Sequence, residues 1–298
     1  GQNENRGAAI MTGAYYLAAQ QLNLDAKLIL QEPKTRGEDA ENLVVQSLSA
    51  LPEGNVIILN MSDKLGSIQD LGKSFRKWVK KRNHRFVSAM GLGDLPASKI
   101  QHVVDAIDIS YKPFQAKHAQ IKKILDEGKE LHVTTDAGTD LHFNIEGIEA
   151  IKADGDYTKP GSGGNLPAGE VYLPPNGKNV HGKVVVDGSS RVKDGTTVIT
   201  NPITIIIEDG NIIEIQGKDE AKKLEETLNW AAGQAKNPGS VRRVCEFGIG
   251  LNPKAKIIGA TIVDEKMLGS AHIGIGSNYW FGGSIFAIIH LDQVFKNP

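Results

Sequence analysis

Hydrophobic positions change rhythm along this chain. Over roughly its first 115 residues, helical faces alternate with short continuous apolar runs. Ile10, Ala14, Leu17 and Ala18 belong to a small-residue helix that leads to the run Ala26-Lys27-Leu28-Ile29-Leu30. Ala40, Leu43, Val44, Ser47, Leu48 and Leu51 then fall on one side of a second segment, the spacing of an amphipathic helix. Asn55-Val56-Ile57-Ile58-Leu59 is continuous and apolar, as a buried parallel strand requires. A basic helix around Lys73 to Lys81 precedes a further strand candidate, Arg85-Phe86-Val87-Ser88-Ala89-Met90. This β-α-β rhythm predicts a doubly wound parallel sheet.

Beyond a helix predicted from about Gln115 to Leu125, the texture shifts to strands. Leu131-His132-Val133-Thr134-Thr135 and Leu141-His142-Phe143-Asn144-Ile145 flank an Asp136-Ala137-Gly138-Thr139 turn, which reads as a hairpin. Val184-Val185-Val186, Thr197-Val198-Ile199 and Ile203-Thr204-Ile205-Ile206-Ile207 are strands separated by Asp-Gly or Asn-Pro punctuation. One helix interrupts them from about Asp219 to Ala232, with Ala221, Leu224, Leu228 and Ala231 on one face. The expected organisation is therefore an α/β domain over 1–115 and a strand-rich α+β domain over 116–298.

Composition narrows the function classes. Hydrophobic residues make up 40% and charged residues 23%, an ordinary globular balance. The formal net charge of -1 gives no electrostatic reason to expect nucleic acid or an anionic membrane as partner. Cys245 is the single cysteine, so no intramolecular disulfide can form and a reducing, cytoplasmic setting is expected. No apolar run approaches the roughly 20 residues that span a bilayer. The polar start Gly1-Gln2-Asn3-Glu4-Asn5-Arg6 leads into no signal-peptide core. It also lacks a methionine, which fits a processed or incomplete N-terminus.

Two glycine-rich segments resemble phosphate-binding loops only superficially. Gly66-Ser67-Ile68-Gln69-Asp70-Leu71-Gly72-Lys73-Ser74 has five residues between its glycines, where the phosphate loop needs four; a helix start with an exposed Lys73 is the plainer reading. Gly91-Leu92-Gly93-Asp94 is ordinary turn chemistry after a strand.

The second half carries more. In Ala287-Ile288-Ile289-His290-Leu291-Asp292-Gln293-Val294, an imidazole and a carboxylate stand at i and i+2, hence on the same face of a strand. Burying both on an apolar strand is costly unless something satisfies them; a metal ion does so, and so does a simple His–Asp hydrogen bond. Ser270-Ala271-His272-Ile273-Gly274-Ile275-Gly276 sets His272 beside two glycines on its own face. Val244-Cys245-Glu246-Phe247-Gly248-Ile249-Gly250 repeats the device with Glu246, and Gly163 to Tyr172 delivers Glu170 from a glycine-rich turn onto a strand. Two histidines, two glutamates and one aspartate make a hard N/O donor set. Such a set suits a pair of carboxylate-bridged divalent ions or one non-haem iron.

At these residues the chain resembles the aminopeptidase T and aminopeptidase S family of metallopeptidases. The likeness runs from about His118 to Phe295. It is clearest in Gly164-Asn165-Leu166-Pro167-Ala168-Gly169-Glu170-Val171-Tyr172, in Asn252-Pro253, in Asp264-Glu265-Lys266, in Ala271 to Gly276 and in His290-Leu291-Asp292. The resemblance implies that Glu170 and Glu246 are metal-binding glutamates and that His272, His290 and Asp292 complete a two-metal site holding zinc, cobalt or manganese. It implies that Glu265 orients a ligand, and that Tyr279 lies beside the metals as a donor to a developing oxyanion. A buried aromatic is the alternative reading of Tyr279. The resemblance further implies a homodimer. Only Trp280-Phe281 separates Tyr279 from Gly282-Gly283, and Ser284-Ile285-Phe286-Ala287 replaces the polar residues that the family carries there.

Three functions follow. The first is an aminopeptidase that trims small peptides through metal-activated water, with Glu170 or Glu246 accepting the proton. The second uses the superfamily's inclusion of a dihydroxypyridine dioxygenase: His272, His290 and Asp292 would hold one Fe(II), and Tyr279-Trp280-Phe281 would suit a flat ring better than a peptide. The third is a binding protein without catalysis. Peptide hydrolysis is the leading expectation and ring opening the alternative.

Overall fold

Helix α1 (Arg6–Gln21), helix α2 (Asn42–Ala50), strand β1 (Val56–Asn60), helix α3 (Phe75–Lys81), strand β2 (Arg85–Ala89) and helix α4 (Ile100–Ile107) follow one another in the N-terminal region. They are succeeded by α5 (Tyr111–Glu127), β3 (Glu130–Thr134), β4 (Asp140–Asn144), β5 (Ile151–Ala153), β6 (Gly163–Asn165), β7 (Glu170–Leu173) and β8 (Val180–Val186). The chain continues through β9 (Ser189–Val192), β10 (Gly195–Val198), β11 (Ile203–Glu208), β12 (Asn211–Gln216), α6 (Asp219–Gln234) and β13 (Val244–Gly250). It ends with α7 (Thr261–Asp264), β14 (Ser270–Gly276) and β15 (His290–Lys296). This computed structural model describes residues 6–35, 37–68, 71–72, 74–93, 95–175 and 179–298. Gln69, Asp70 and Lys73 of the first glycine-rich segment and Asp94 of the second lie outside the described residues.

The chain divides into two units. One joins Gly1–Ile107 to Gly155–Pro167; the other joins Asp108–Asp154 to Ala168–Pro298. The segment 155–167 thus belongs with the N-terminal residues, because β6 pairs in parallel with β2 and extends the sheet to β1-β2-β6. Ile57, Trp78, Val79 and Phe86 form the core of this unit with Leu48 of α2. The fold is α/β here, as the alternation predicted. The apolar run at 26–30 forms no strand, and its Leu28 and Leu30 stay exposed.

The second unit contains two antiparallel sheets, of order β10-β9-β15-β14-β13-β7-β5 and β12-β11-β8-β4-β3. They share one core, in which Phe143 of β4 meets Phe247 of β13 with ring centroids 5.0 Å apart. Alternation sorts the side chains of β7, β13, β14 and β15 in the seven-stranded sheet. Val171 and Leu173, Phe247, Ala271, Ile273 and Ile275, and Leu291 and Phe295 all join that core. Glu170, Glu246, His272, His290 and Asp292 occupy the opposite parity, so the sheet presents them together on its other face. Among the described residues no helix is long and apolar enough to cross a membrane.

Candidate metal centre

Strand register brings the donors together. On the central strand β14, Gly274 is paired with Glu246 on one side and Asp292 on the other. Gly276 is paired with His290, Gly248 with His272 and Gly250 with Glu170. Each donor therefore faces a glycine across the ladder, which leaves the space a side chain would fill. A Cβ on Gly248 would stand 2.2 Å from His272 Cε1, and one on Gly274 would stand 2.8 Å from Glu246 Cβ. The register shift between Val244 and Glu246 is what turns Glu246 into this row.

The side chains converge closely. His290 Nε2 lies 3.1 Å from Asp292 Oδ1 and 3.3 Å from Glu246 Oε2. His272 Nε2 lies 3.4 Å from Glu246 Oε1 and 3.7 Å from Glu170 Oε2. Three overlapping sets of donor atoms fall within ion-binding distance of one another: Glu170, Glu246 and His272; Glu246, His290 and Asp292; Glu265, His272 and Asp292. All of these residues are buried except His290, whose side chain keeps 19% of its exposure. Approach from solvent is therefore on the His290 side.

One charged partner had no assigned role in the sequence reading. Lys266 is wholly buried, and its Nζ donates to Glu170 Oε1 at 2.6 Å and also to Glu265 Oε1. It takes one oxygen of Glu170 and leaves the other. Sequence alone could have flagged it, since a lysine inside Ile262-Val263-Asp264-Glu265-Lys266-Met267 has to find carboxylates once buried. Asp264 beside it has a structural task, accepting the backbone N–H groups of Ile258 and Gly259.

The electrostatics record a surplus of negative charge. Burial raises the Glu265 carboxyl to about 8, against the opposing pull of Lys266. Burial works to lower His272, but the hydrogen bond to Glu246 and the neighbouring carboxylates win and raise it to about 9. His290 is likewise carried well above the ordinary histidine range by Asp292, against burial. Burial lifts the Cys245 thiol to about 11, so it stays protonated 3.5 Å from His290 Nδ1.

A metal ion fits this arrangement. Glu170 Oε2 is buried and accepts no hydrogen bond, His272 Nδ1 has no hydrogen-bond partner either, and Asp292 Oδ1 faces only the His290 imidazole, 3.1 Å away. Buried carboxylate oxygens left in that state are costly unless a cation answers them. The remaining two predicted residues separate. Glu265 joins the cluster. Tyr279 does not: its ring is 66% exposed and packs edge-on to Phe286. Trp280 and Phe281 stand closer, with ring centroids 4.9 and 6.0 Å from the His290 imidazole.

A family model described as 2,5-dihydroxypyridine 5,6-dioxygenase matches residues 108–293. The curated 2,5-dihydroxypyridine 5,6-dioxygenase of Pseudomonas putida is 26% identical over 183 residues, which are 58% of this chain and 51% of that protein. The chain thus spans about half the length of that relative. A solved structure of the Pseudomonas putida KT2440 2,5-dihydroxypyridine dioxygenase superposes with a TM-score of 0.67 at 21% identity, covering 93% of this chain and 80% of the other. AmpT from Thermus thermophilus gives 0.54 at 17% identity, covering 93% and 78%. At such identities the two structures bear on the fold alone. The superfamily expected from the sequence stands, but the aminopeptidase does not. The family match over more than half the chain overturns peptide hydrolysis, and the hydrolase reading falls with it.

Proposed function

The chain belongs to the 2,5-dihydroxypyridine 5,6-dioxygenase family, and from that membership we propose an iron-dependent dioxygenase that opens a dihydroxylated pyridine or similar hydroxylated aromatic ring. The observation that carries it is the meeting of two donor sets at Asp292, one with His290 and Glu246 and the other with His272 and Glu265, which brings two imidazoles to one carboxylate, the donor types of non-haem Fe(II) sites. When bound, ferrous iron supplies the redox chemistry by which both atoms of O2 enter the ring across a carbon–carbon bond.

The chain's own residues prepare that reaction. His290 directs Nε2 inward because its Nδ1 donates to the Ser277 carbonyl at 2.8 Å. Asp292 and His272 complete the donor set, and Glu246 lies between the two imidazoles, its carboxylate oxygens 3.4 Å from His272 Nε2 and 3.3 Å from His290 Nε2. Lys266 holds Glu170 and Glu265 in place from behind. Trp280 and Phe281 flank the one donor with solvent access and offer aromatic faces to a flat ring. The short segment after Tyr279, which gave the peptidase reading difficulty, supports a small planar substrate.

Oxygen consumption by the anaerobically iron-loaded protein tests this reading. With 2,5-dihydroxypyridine present, one O2 taken up per ring opened, with loss of the aromatic absorbance, is the expected result. Retained iron with no oxygen uptake on any dihydroxylated pyridine or benzene would overturn it.

A further inference from the structure

A second donor cluster lies on the exposed face of the five-stranded sheet, built from residues that the buried centre does not use. His132 of β3 and His142 of β4 are directly opposed in register, and His181 of β8 is opposed to His142 in turn. Three of the chain's eight histidines therefore stand in one row across three adjacent strands. The His132 and His142 rings stack with centroids 3.9 Å apart and an interplanar angle of 14°. Both direct Nε2 at the same oxygen, Asp140 Oδ1, at 2.8 and 3.3 Å.

We propose that His132, Asp140 and His142 form a surface site for a first-row transition-metal dication such as zinc or nickel. Geometry is the first argument. A metal bound at about 2.0–2.1 Å by imidazole and carboxylate separates neighbouring donor atoms by roughly 2.9–3.4 Å, and the two observed separations are 2.8 and 3.3 Å. Donor chemistry is the second. Two imidazoles with one carboxylate favour zinc, nickel or copper over calcium and magnesium, which prefer all-oxygen shells.

Rigidity is the third argument. Asp140 and His142 lie two apart on one strand, and β3 and β4 are joined by the turn closed by Gly138 N–H donating to the Thr135 carbonyl. The backbone positions of the donors are thus fixed before an ion arrives, while the exposed, nearly parallel imidazoles turn to aim both Nε2 lone pairs at it. Each keeps half or more of its side-chain exposure, which leaves room for water to complete the shell. The neighbouring ionic groups are Lys183, opposed to Asp140 in register, and Asp209, 3.6 Å from His181 Nε2. His181 stands next in the row and lies outside the three-donor set.

The test is a zinc titration of tag-free, iron-loaded protein against a competing chromophoric chelator, with iron measured in the same samples. One additional zinc per chain is expected at unchanged iron content. His132→Ala and His142→Ala should each weaken that binding at least about tenfold, the lower end of what even an outer-shell change does. Both variants should keep the melting temperature of the metal-free surface. Asp140→Asn should weaken binding while leaving both rings in place. No additional zinc, or additional zinc bound equally well by the His132→Ala/His142→Ala double variant, would overturn the site. Failure of the ring-opening activity would leave it standing, since no residue is shared with the buried centre.

Discussion

His290 Nδ1 and the carbonyl oxygen of Ser277 are 2.8 Å apart. A carbonyl can only accept, so Nδ1 carries a proton and Nε2 is the nitrogen that faces Asp292 and Glu246. This one contact fixes the ring orientation and, when a metal takes the place of the Nε2 proton, the tautomer. His290→Ala should therefore abolish tightly held iron while leaving the fold intact, because the imidazole edge is partly exposed rather than central to the core. Elemental analysis alongside near-ultraviolet circular dichroism measures both; full iron retention would remove His290 from the donor set.

Gly248 predicts a steric route to the same loss. A Cβ there would come within 2.2 Å of His272 Cε1 and 2.4 Å of Nε2, so the ring must swing away from Glu246. Gly248→Ala should cost about 1–3 kcal/mol of stability, as overpacking does, and should lower iron occupancy as well. Urea unfolding with iron counted in parallel would detect it. A variant with native stability and full iron would show that the strand has more room than the contact distances allow.

Lys266 donates to both Glu170 and Glu265 inside the protein. Removing the cation leaves the buried Glu170 carboxylate uncompensated, so Lys266→Met should destabilise by about 3–5 kcal/mol. Adding Glu170→Gln should recover part of that loss, since the stranded charge is then gone. Equal stability of the single and double variants in denaturant unfolding would mean that the pair is not coupled.

These residues also show what the sequence could reveal. Alternation along 246–250, 270–276 and 287–294 puts Glu246 and His272 each on the face of its strand's glycines and His290 with Asp292 on one face, because side-chain parity in a strand is local. Register is not local, and the meeting of Glu246 with Asp292 across Gly274 depends on one pairing 28 residues apart and another 18 residues apart. The same limit hid β6. Gly163-Gly164-Asn165 has no strand propensity, and only the neighbouring β2 makes it one. Tyr279 was placed by resemblance rather than by pattern, and its exposed position reflects the short segment around it. The choice between hydrolysis and ring opening was never written in the donor types, since both reactions use them.

His118 of α5 makes stability depend on pH. It is fully buried, its Nδ1 lies 2.8 Å from the Phe114 carbonyl, and Nε2 has no partner. Burial lowers its proton affinity below the ordinary histidine value of 6.5. The folded state thus binds this proton less readily than the unfolded chain does. The stabilisation is present above pH 6.5 and is lost as the pH falls below that value toward the depressed folded value. His118→Leu should flatten this part of the stability curve, measured by urea unfolding between pH 5 and about 8. An unchanged acid slope would assign the pH dependence to other groups.

The aromatic rim gives the most discriminating prediction about substrate. Trp280 is 57% exposed, yet its ring meets His290 at 4.9 Å and an angle of 64°, and it packs on Phe281 at 5.6 Å. An indole kept in water beside the accessible donor costs apolar exposure that ordinary core packing would avoid. Stacking of one aromatic ring on another contributes about 0.5–1.5 kcal/mol beyond burial, equivalent to roughly a two- to tenfold change in affinity. Trp280→Ala should therefore raise KM for a dihydroxylated pyridine by about that factor, with kcat and iron content little changed. A structural role would instead lower iron occupancy or kcat, because His290 would lose its packing partner. Trp280→Phe separates the two further, since it keeps an aromatic face and should recover most of the affinity. If Trp280→Ala leaves KM unaltered in oxygen-uptake assays, the substrate ring does not bind on this rim.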